Sequence, residues 1–241
     1  ILCEKTDSLG GALRQAWHPE FKKDIKRFVE VLESRMKASP NIEIRLNTHV
    51  TPELVQTVGP DALIVALGAK PIDLEVPGIE DPRVINCMEI HQRKEYMGDR
   101  VVIIGGGMLG LEEGINLAKY HDKEVTILEM QNRLASDAPY LHYIAMLNEV
   151  EQLDNLQVML ERKCTAITED GVVGSDKNGG EEIFPADTII VAVGMESRRE
   201  ESETFRNLAP EVIMVGDCVQ PGQMIPAVLN GYFAGYNLQR T

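Results

Sequence analysis

Apolar residues along this chain fall into short unbroken runs separated by stripes of helical spacing. Val101–Ile104, Val125–Leu128, Ala62–Leu67 and Thr188–Val193 are almost wholly apolar, the pattern of strands buried on both faces. Ile42–Leu46 alternates and predicts a half-buried strand, and Leu156–Leu160 and Val212–Val215 predict two more. Pro19 to Ala38 reads as a helix with Phe21, Ile25, Phe28, Val29 and Leu32 on one stripe. Pro40-Asn41 ends it. Thr51 as N-cap with Pro52 behind it opens a short helix. Leu111 to Tyr120 reads as a helix. So does Tyr140 to Leu153, with Leu141, Ile144, Ala145 and Leu147 turned inward, and Ile225 to Leu238 is the last. Between Cys164 and Asp187, turn residues at Asp170-Gly171 and Asn178-Gly179-Gly180 predict short antiparallel strands. Pro71 to Asp99 is punctuated by Pro77-Gly78 and Asp81-Pro82 and reads as a crossover, with room for a short helix around Glu89 to Tyr96. Glu196 to Asn207 is highly charged and reads as a solvated segment.

One junction carries chemistry. The Val101–Ile104 run enters Gly105-Gly106-Gly107-Met108-Leu109-Gly110, a helix follows, and the next run ends at Glu129. Strand, glycine turn, helix, strand and acid form the dinucleotide fingerprint in its required context. Gly105 permits the tight turn, Gly107 lets backbone approach a diphosphate, and Gly110 lets the helix pack close to the strand. The helix N-terminus offers N–H groups and a positive dipole end to phosphates. Glu129 follows Gly110 by 19 positions, where an acid meets a ribose 2′-hydroxyl. A carboxylate there repels a 2′-phosphate, so NAD(H) is favoured over NADP(H); the nearby Arg133 softens that preference.

The plan occurs twice. Asp61–Gly68 parallels Asp187–Gly194, and Ile1-Leu2-Cys3-Glu4 parallels Thr126–Glu129. Glu4 precedes Gly68 by 64 positions and Glu129 precedes Gly194 by 65. The second copy is complete. The first lacks its opening strand, glycine loop and helix, although Leu9-Gly10-Gly11 supplies a loop that a ligand could approach closely. The expected fold is therefore α/β, with two Rossmann-like three-layer domains, the first missing its opening βα unit. Residues 1–98 and 196–241 would form the first domain and 99–195 an inserted second. With Ile1 reading as the end of a strand, the chain looks like a fragment of a longer protein.

Composition narrows the partners. Lysine and arginine total 24 against 38 acids, a net charge of −14, which disfavours nucleic acid and anionic membranes. No apolar run approaches the ~20 residues of a membrane span. Cys3, Cys87, Cys164 and Cys218 form no CxxC pair, so no metal or iron–sulfur pattern is read, and scattered free thiols suit a reducing cytoplasm. His18, His49, His91, His121 and His142 have no metal spacing and read as surface or loop residues.

Taken together, Glu4 with Leu9-Gly10-Gly11, Ala66-Leu67-Gly68, Gly105 to Gly110 with Glu112, Ala192-Val193-Gly194 and Val215-Gly216-Asp217-Cys218 resemble the FAD/NAD(H) half of the two-dinucleotide-domain flavoproteins. Within these, the chain is similar to the C-terminal part of the 2,4-dienoyl-CoA reductase / 2-enoate reductase group. The resemblance covers nearly the whole chain. It implies that Glu4 holds the FAD adenosine ribose with Val50 near the adenine, and that Asp217, after Gly216, bonds the ribityl chain. It implies that a helix from about Pro226, with Ala227 in its first turn, points at the flavin pyrimidine ring. It counts Leu109, Glu112, Ala66, Gly68 and Gly194 among the cofactor contacts. It also implies an upstream barrel domain holding FMN and a 4Fe-4S cluster, to which electrons from NADH pass through FAD before an unsaturated substrate is reduced. Hydride transfer between stacked rings asks the protein for orientation and electrostatics, so no catalytic acid or base is assigned. A homo-oligomer stays open. Two other readings compete. One is a flavin disulfide reductase-like NADH oxidase, disfavoured because Asp7 to Pro60 has no cysteine. The other is a nucleotide-binding piece without turnover.

Overall fold

The computed structural model describes residues 1–93, 97–136 and 138–238. These cluster into two compact units. Residues 1–17, 24–70 and 195–241 form the first, and residues 18–23 and 71–194 the second. Segment 71–98, placed with the first domain from sequence, clusters with the second unit, as does the short segment 18–23.

The second unit is built on five parallel strands in the spatial order Val84–Asn86, Thr188–Val191, Arg100–Ile104, Glu124–Glu129, Leu156–Leu160. Strand alternation sorts its side chains onto two faces. Val101, Ile103, Val125, Ile127 and Ile190 enter one core together with Leu111, Ile115 and Leu117 of the Met108–His121 helix. Val102, Ile104, Leu128, Ile189 and Val191 enter the other, closed by Cys164, Ile167, Val172 and Phe184 of a three-stranded antiparallel sheet. Helices therefore cover one face and a small sheet the other, which is why the strand runs are almost wholly apolar. Gly114 lies over this sheet with Ile127 Cδ1 at 2.8 Å from where a Cβ would stand, so the helix packs close.

At one end of the sheet Arg100 grips Asp187. Arg100 Nη2 donates to Asp187 Oδ1 at 2.6 Å, and its backbone N–H to Oδ2 at 3.0 Å. These bonds hold the Asp187 carboxyl at about 2, below its ordinary 3.8. A carboxylate depressed on folding contributes stability above the unfolded pKa and loses it as pH falls through the folded one. Both side chains are more than a third exposed, at 51% and 36%, so solvent screening keeps the contribution of the pair small. Asp187→Asn should lower the urea midpoint modestly at pH 7. The gap to the unaltered protein should close between pH 4 and pH 2, and a gap that persists at pH 2 would refute the assignment.

The first unit contains two separate parallel pairs, Leu2–Cys3 with Ile44–Arg45 and Ala62–Val65 with Glu211–Met214. Its core is small: Val55, Val65 and Phe205, with Leu63, Leu67, Leu208, Val212 and Met214 packed around them. The Pro52–Val58 helix is capped as expected, Leu54 N–H donating to Thr51 Oγ1. The final helix spans Met224–Leu238.

Several expectations are corrected. On the Tyr140–Val150 helix the buried stripe is Tyr143, Met146, Leu147 and Val150, while Leu141 is 82% exposed and Ile144 and Ala145 are exposed too. Both stripes have helical spacing, and the surface the helix meets decided the phase. The Pro19–Ala38 stretch divides into a 3-10 turn, Glu20–Lys22, and a helix, Lys23–Ala38, with Phe21 and Leu32 exposed. The segment read as solvated contains the Arg199–Glu203 helix, with Ser202 and Phe205 buried. The strand expected over Ala62–Leu67 ends at Val65, and Ile64 is exposed. The alternating Ile42–Leu46 stretch is a strand only over Ile44–Arg45. The helix expected around Glu89 to Tyr96 is a 3-10 turn over Cys87–Gln92, and residues 94–96 lie outside the described residues.

Candidate functional site

The glycine turn stands at the carboxyl end of the central strand of the second unit. Gly105 adopts φ +109°, and a Cβ there would lie 2.3 Å from the Ala192 carbonyl oxygen of the neighbouring segment. A Cβ on Gly110 would lie 2.0 Å from the Gly105 carbonyl oxygen and 3.3 Å from Ala192 Cβ. These two glycines are required by packing alone. Gly107 differs: it caps the N-terminus of Met108–His121 in extended backbone, no side chain caps that end, and nothing lies within 4 Å of where its Cβ would be. The protein does not need this glycine. A ligand does, because it keeps the approach to the helix N-terminus free of side-chain atoms. The residues present thus fit the diphosphate of a dinucleotide.

Glu129 ends the adjacent strand with its carboxylate turned to this turn. Gly106 N–H donates to Oε2 at 2.7 Å and Gln131 N–H to Oε1 at 2.7 Å, and the residue is 7% exposed. Two backbone donors fix the rotamer while each oxygen keeps a further lone pair, which suits a pair of ribose hydroxyls. Arg133 is engaged over the Tyr143 ring, 5.3 Å from its centroid. Gly194 follows the Thr188–Val191 strand at φ +115°, as Gly68 follows Ala62–Val65 at φ +74°. Ala66 is exposed beside Gly68, and Leu109 is half-buried in the first turn of the helix.

Glu112 is placed otherwise than a ligand contact would be. It is 2% exposed, and both carboxylate oxygens are engaged: Lys22 Nζ pairs with Oε2, and His142 Nε2 lies 2.8 Å from Oε1. Its neighbour Glu113, equally buried, has His91 Nε2 at 3.1 Å from Oε1 and no hydrogen-bond partner on Oε2 among the described residues. His91 stacks on His18 with centroids 4.0 Å apart, and Glu20 N–H donates to Asn116 Oδ1 at 3.1 Å. His91 and His142 are thus partners of buried carboxylates, where sequence reading put them on the surface or in loops. Lys22 was missed altogether. It is separated from Glu112 by 90 positions, and the signal was two adjacent glutamates among the apolar residues and glycines of the helix's first turns.

In the first unit, Glu4 directly follows the Leu2–Cys3 strand, and Thr6 N–H and Oγ1 donate to its carboxylate at 2.8 and 2.9 Å. Gly10 and Gly11 take φ +116° and +50°, and the helix after them, Leu13–Ala16, is a single turn. Val50 lies beside the Val55–Val65 core. Gly216 has φ +68° with Ala227 Cβ 3.7 Å from where its own Cβ would be. Burial pushes the Asp217 carboxyl up, against a Gly222 N–H that pulls it down. Acid, loop and Gly-Asp turn are present, but the described residues of this unit hold no glycine turn opening a long helix. They do not fit the diphosphate of an FAD.

The four cysteines are free. Burial, with the Glu113 charge added, pushes the Cys87 thiol up to about 11, and burial pushes Cys164 up to about 11, so both are thiols at neutral pH. Among the described residues no cluster of three or more His, Cys, Asp or Glu could hold a metal, and no helix is long and apolar enough to cross a membrane.

Comparison with known proteins places this geometry. The family described as pyridine nucleotide-disulphide oxidoreductase matches residues 20–231. The cinnamate reductase of Clostridium sporogenes is 30% identical over 239 residues, covering 98% of this chain and 35% of that protein. The bilirubin reductase of Mediterraneibacter gnavus is 29% identical, covering 97% of this chain and 36% of its own. Among solved structures, a 2-naphthoyl-CoA reductase in complex with 2-naphthoyl-CoA superposes with a TM-score of 0.86 at 28% identity, over 95% of this chain and 34% of that one. The chain therefore spans about a third of the length of the relatives it matches.

Proposed function

We propose a function from one premise: this chain belongs to the pyridine nucleotide-disulphide oxidoreductase family, and with it to the FAD-dependent oxidoreductases. Its second unit binds NADH, with the diphosphate at the Met108–His121 N-terminus, Gly105, Gly107 and Gly110 as the cradle, and Glu129 on the adenosine ribose. The chain is the electron-input part of a longer reductase whose substrate is an unsaturated carboxylate or its CoA thioester. The compounds that two relatives are named for, a cinnamate and a 2-naphthoyl-CoA, support that class, because both are conjugated acyl compounds. Onward carriers, FMN and a 4Fe-4S cluster in an upstream domain, belong to the same proposal.

The work of this chain's own residues is binding and orientation. Backbone N–H groups and the dipole of a 14-residue helix meet the diphosphate. Glu129, locked by two N–H donors, accepts from ribose hydroxyls and would repel a 2′-phosphate. No side chain is asked to move a proton. The disulfide-reductase reading is disfavoured by thiols raised to about 11 at Cys87 and Cys164.

The open space at Gly107 carries the reading. Gly107→Ala should leave the urea midpoint almost unchanged, since nothing crowds the new methyl. Calorimetric titration with NADH should show affinity about ten- to a hundredfold weaker, the loss of one or two charge-assisted hydrogen bonds to phosphate. NADPH should bind the unaltered chain more weakly than NADH. Unchanged NADH affinity in Gly107→Ala would remove the site from the second unit.

A further inference from the structure

The dinucleotide fingerprint asks for glycine at Gly105 and Gly107 and leaves the position between them free. Here that position is glycine as well. The reason lies outside the motif, in the stretch that follows Glu129. A Cβ on Gly106 would stand 2.5 Å from Leu134 Cδ2 and 2.9 Å from Glu129 Cβ. The same stretch uses both polar atoms of Gly106. Its N–H donates to Glu129 Oε2 at 2.7 Å, and its carbonyl accepts from Ala135 N–H at 2.7 Å.

The Gly106–Gly107 peptide is trans and planar, so its carbonyl and its N–H point in opposite directions. Fastening the Gly106 carbonyl to Ala135 therefore turns the Gly107 N–H away from 134–135. Gly107 is the N-cap of the Met108–His121 helix, and its N–H donates to no atom among the described residues. Ala135 is held at φ +40°, a left-handed backbone that an alanine rarely takes, and it is 1% exposed. Strain of this kind persists where surrounding contacts over-determine it, and it gathers at ligand clamps. The contacts are present: Ala138 N–H donates to the Ala135 carbonyl at 2.9 Å, and Leu134 and Ala135 both enter the core that holds Leu111 and Ile103.

We propose that Leu134 and Ala135 are positioning residues of the dinucleotide site, holding the Gly106–Gly107 peptide so that the Gly107 N–H is already presented when the diphosphate of NADH arrives. A donor fixed beforehand spends no binding energy on being ordered. Both residues act through Gly106 and not through contact with the nucleotide. Glu129 is fastened to the same glycine, so one short stretch, 129–135, sets the ribose acid and the phosphate donor together. This rests on the NADH reading of the second unit and names what aims its cradle.

The test is calorimetric titration of the whole chain with NADH, with each variant's urea midpoint measured beside it. Ala135→Val places a β-branched residue where positive φ is a severe outlier, so its N–H should leave the Gly106 carbonyl. NADH should then bind about tenfold more weakly, the effect of one misaligned charge-assisted hydrogen bond. Leu134→Ala uncovers Gly106 without changing the backbone type and should weaken NADH about fivefold. Ala135→Gly keeps the N–H and takes positive φ freely, so its affinity should stay within about twofold of the unaltered chain. Val172→Ala, in the core on the opposite face of the sheet, should lower the midpoint and leave NADH affinity unchanged. Unaltered NADH affinity in Ala135→Val and Leu134→Ala would overturn the proposal. So would an equal loss in Val172→Ala, which would make the effect one of stability. Should Ala135→Val not fold, Leu134→Ala against Val172→Ala decides alone. Failure of the unaltered chain to bind NADH is a different result: it would remove the dinucleotide reading, and this proposal with it.

Discussion

Gly105→Ala is expected to destabilise the second unit by about 3–5 kcal/mol, the range reached when strain and overpacking fall on one residue. Two effects add. A residue with a Cβ would be held at φ +109°, outside the regions open to L side chains. The methyl would also stand 2.3 Å from the Ala192 carbonyl oxygen and 2.7 Å from its carbonyl carbon, which are backbone and have no rotamer to change. Relief therefore means moving the junction after 188–191 away from 100–104, the central pair of the sheet. Urea unfolding followed by circular dichroism reads the loss as a lower midpoint at unchanged slope. A midpoint within a few tenths molar of the unaltered protein would show that the turn is not held as described. The contrast with Gly107→Ala matters: two substitutions, two residues apart, are expected to separate packing from binding.

Lys22→Met should cost about 3 kcal/mol, within the range for breaking a buried ion pair from one side. Glu112 is 2% exposed and stays behind with His142 as its remaining partner among the described residues, while the adjacent Glu113 adds a second buried carboxylate. The loss is one of uncompensated charge, not of packing volume, because methionine replaces most of the lysine stem. Adding Glu112→Gln to Lys22→Met should then restore about half of the loss or more, a coupling that distant sites do not show. Urea midpoints of the two single variants and the double variant complete the cycle. Strict additivity would mean that the ion pair carries none of the stability of segment 18–23 on the 108–121 helix.

Much of this was legible from residues alone because it depends on local rules. A run of β-branched residues, three glycines at fixed offsets, an apolar helix and a terminal acid can be arranged in few ways, and Gly105, Gly110 and Glu129 stand in the structure at the turn, the helix contact and the strand end as the spacing predicts. The antiparallel turns at Asp170-Gly171 and Asn178-Gly179-Gly180 are likewise encoded in short stretches, and the strands around them pair across those turns. The phase of the Tyr140–Val150 helix was not legible. Leu141 and Ile144 are as apolar as Met146 and Val150, and only the surface beneath chooses between two stripes about half a turn apart.

The sequence by itself determined the doubled dinucleotide-binding plan and the glycine fingerprint of its second copy, because each is a pattern of neighbours along the chain. Tertiary structure alone decided that Lys22 and His142 would meet Glu112, that His91 would lie against Glu113, and that the last helix would keep an apolar stripe uncovered. These depend on which distant segments meet, and burial, unlike spacing, is a property of the surface that a residue finds and not of the residue.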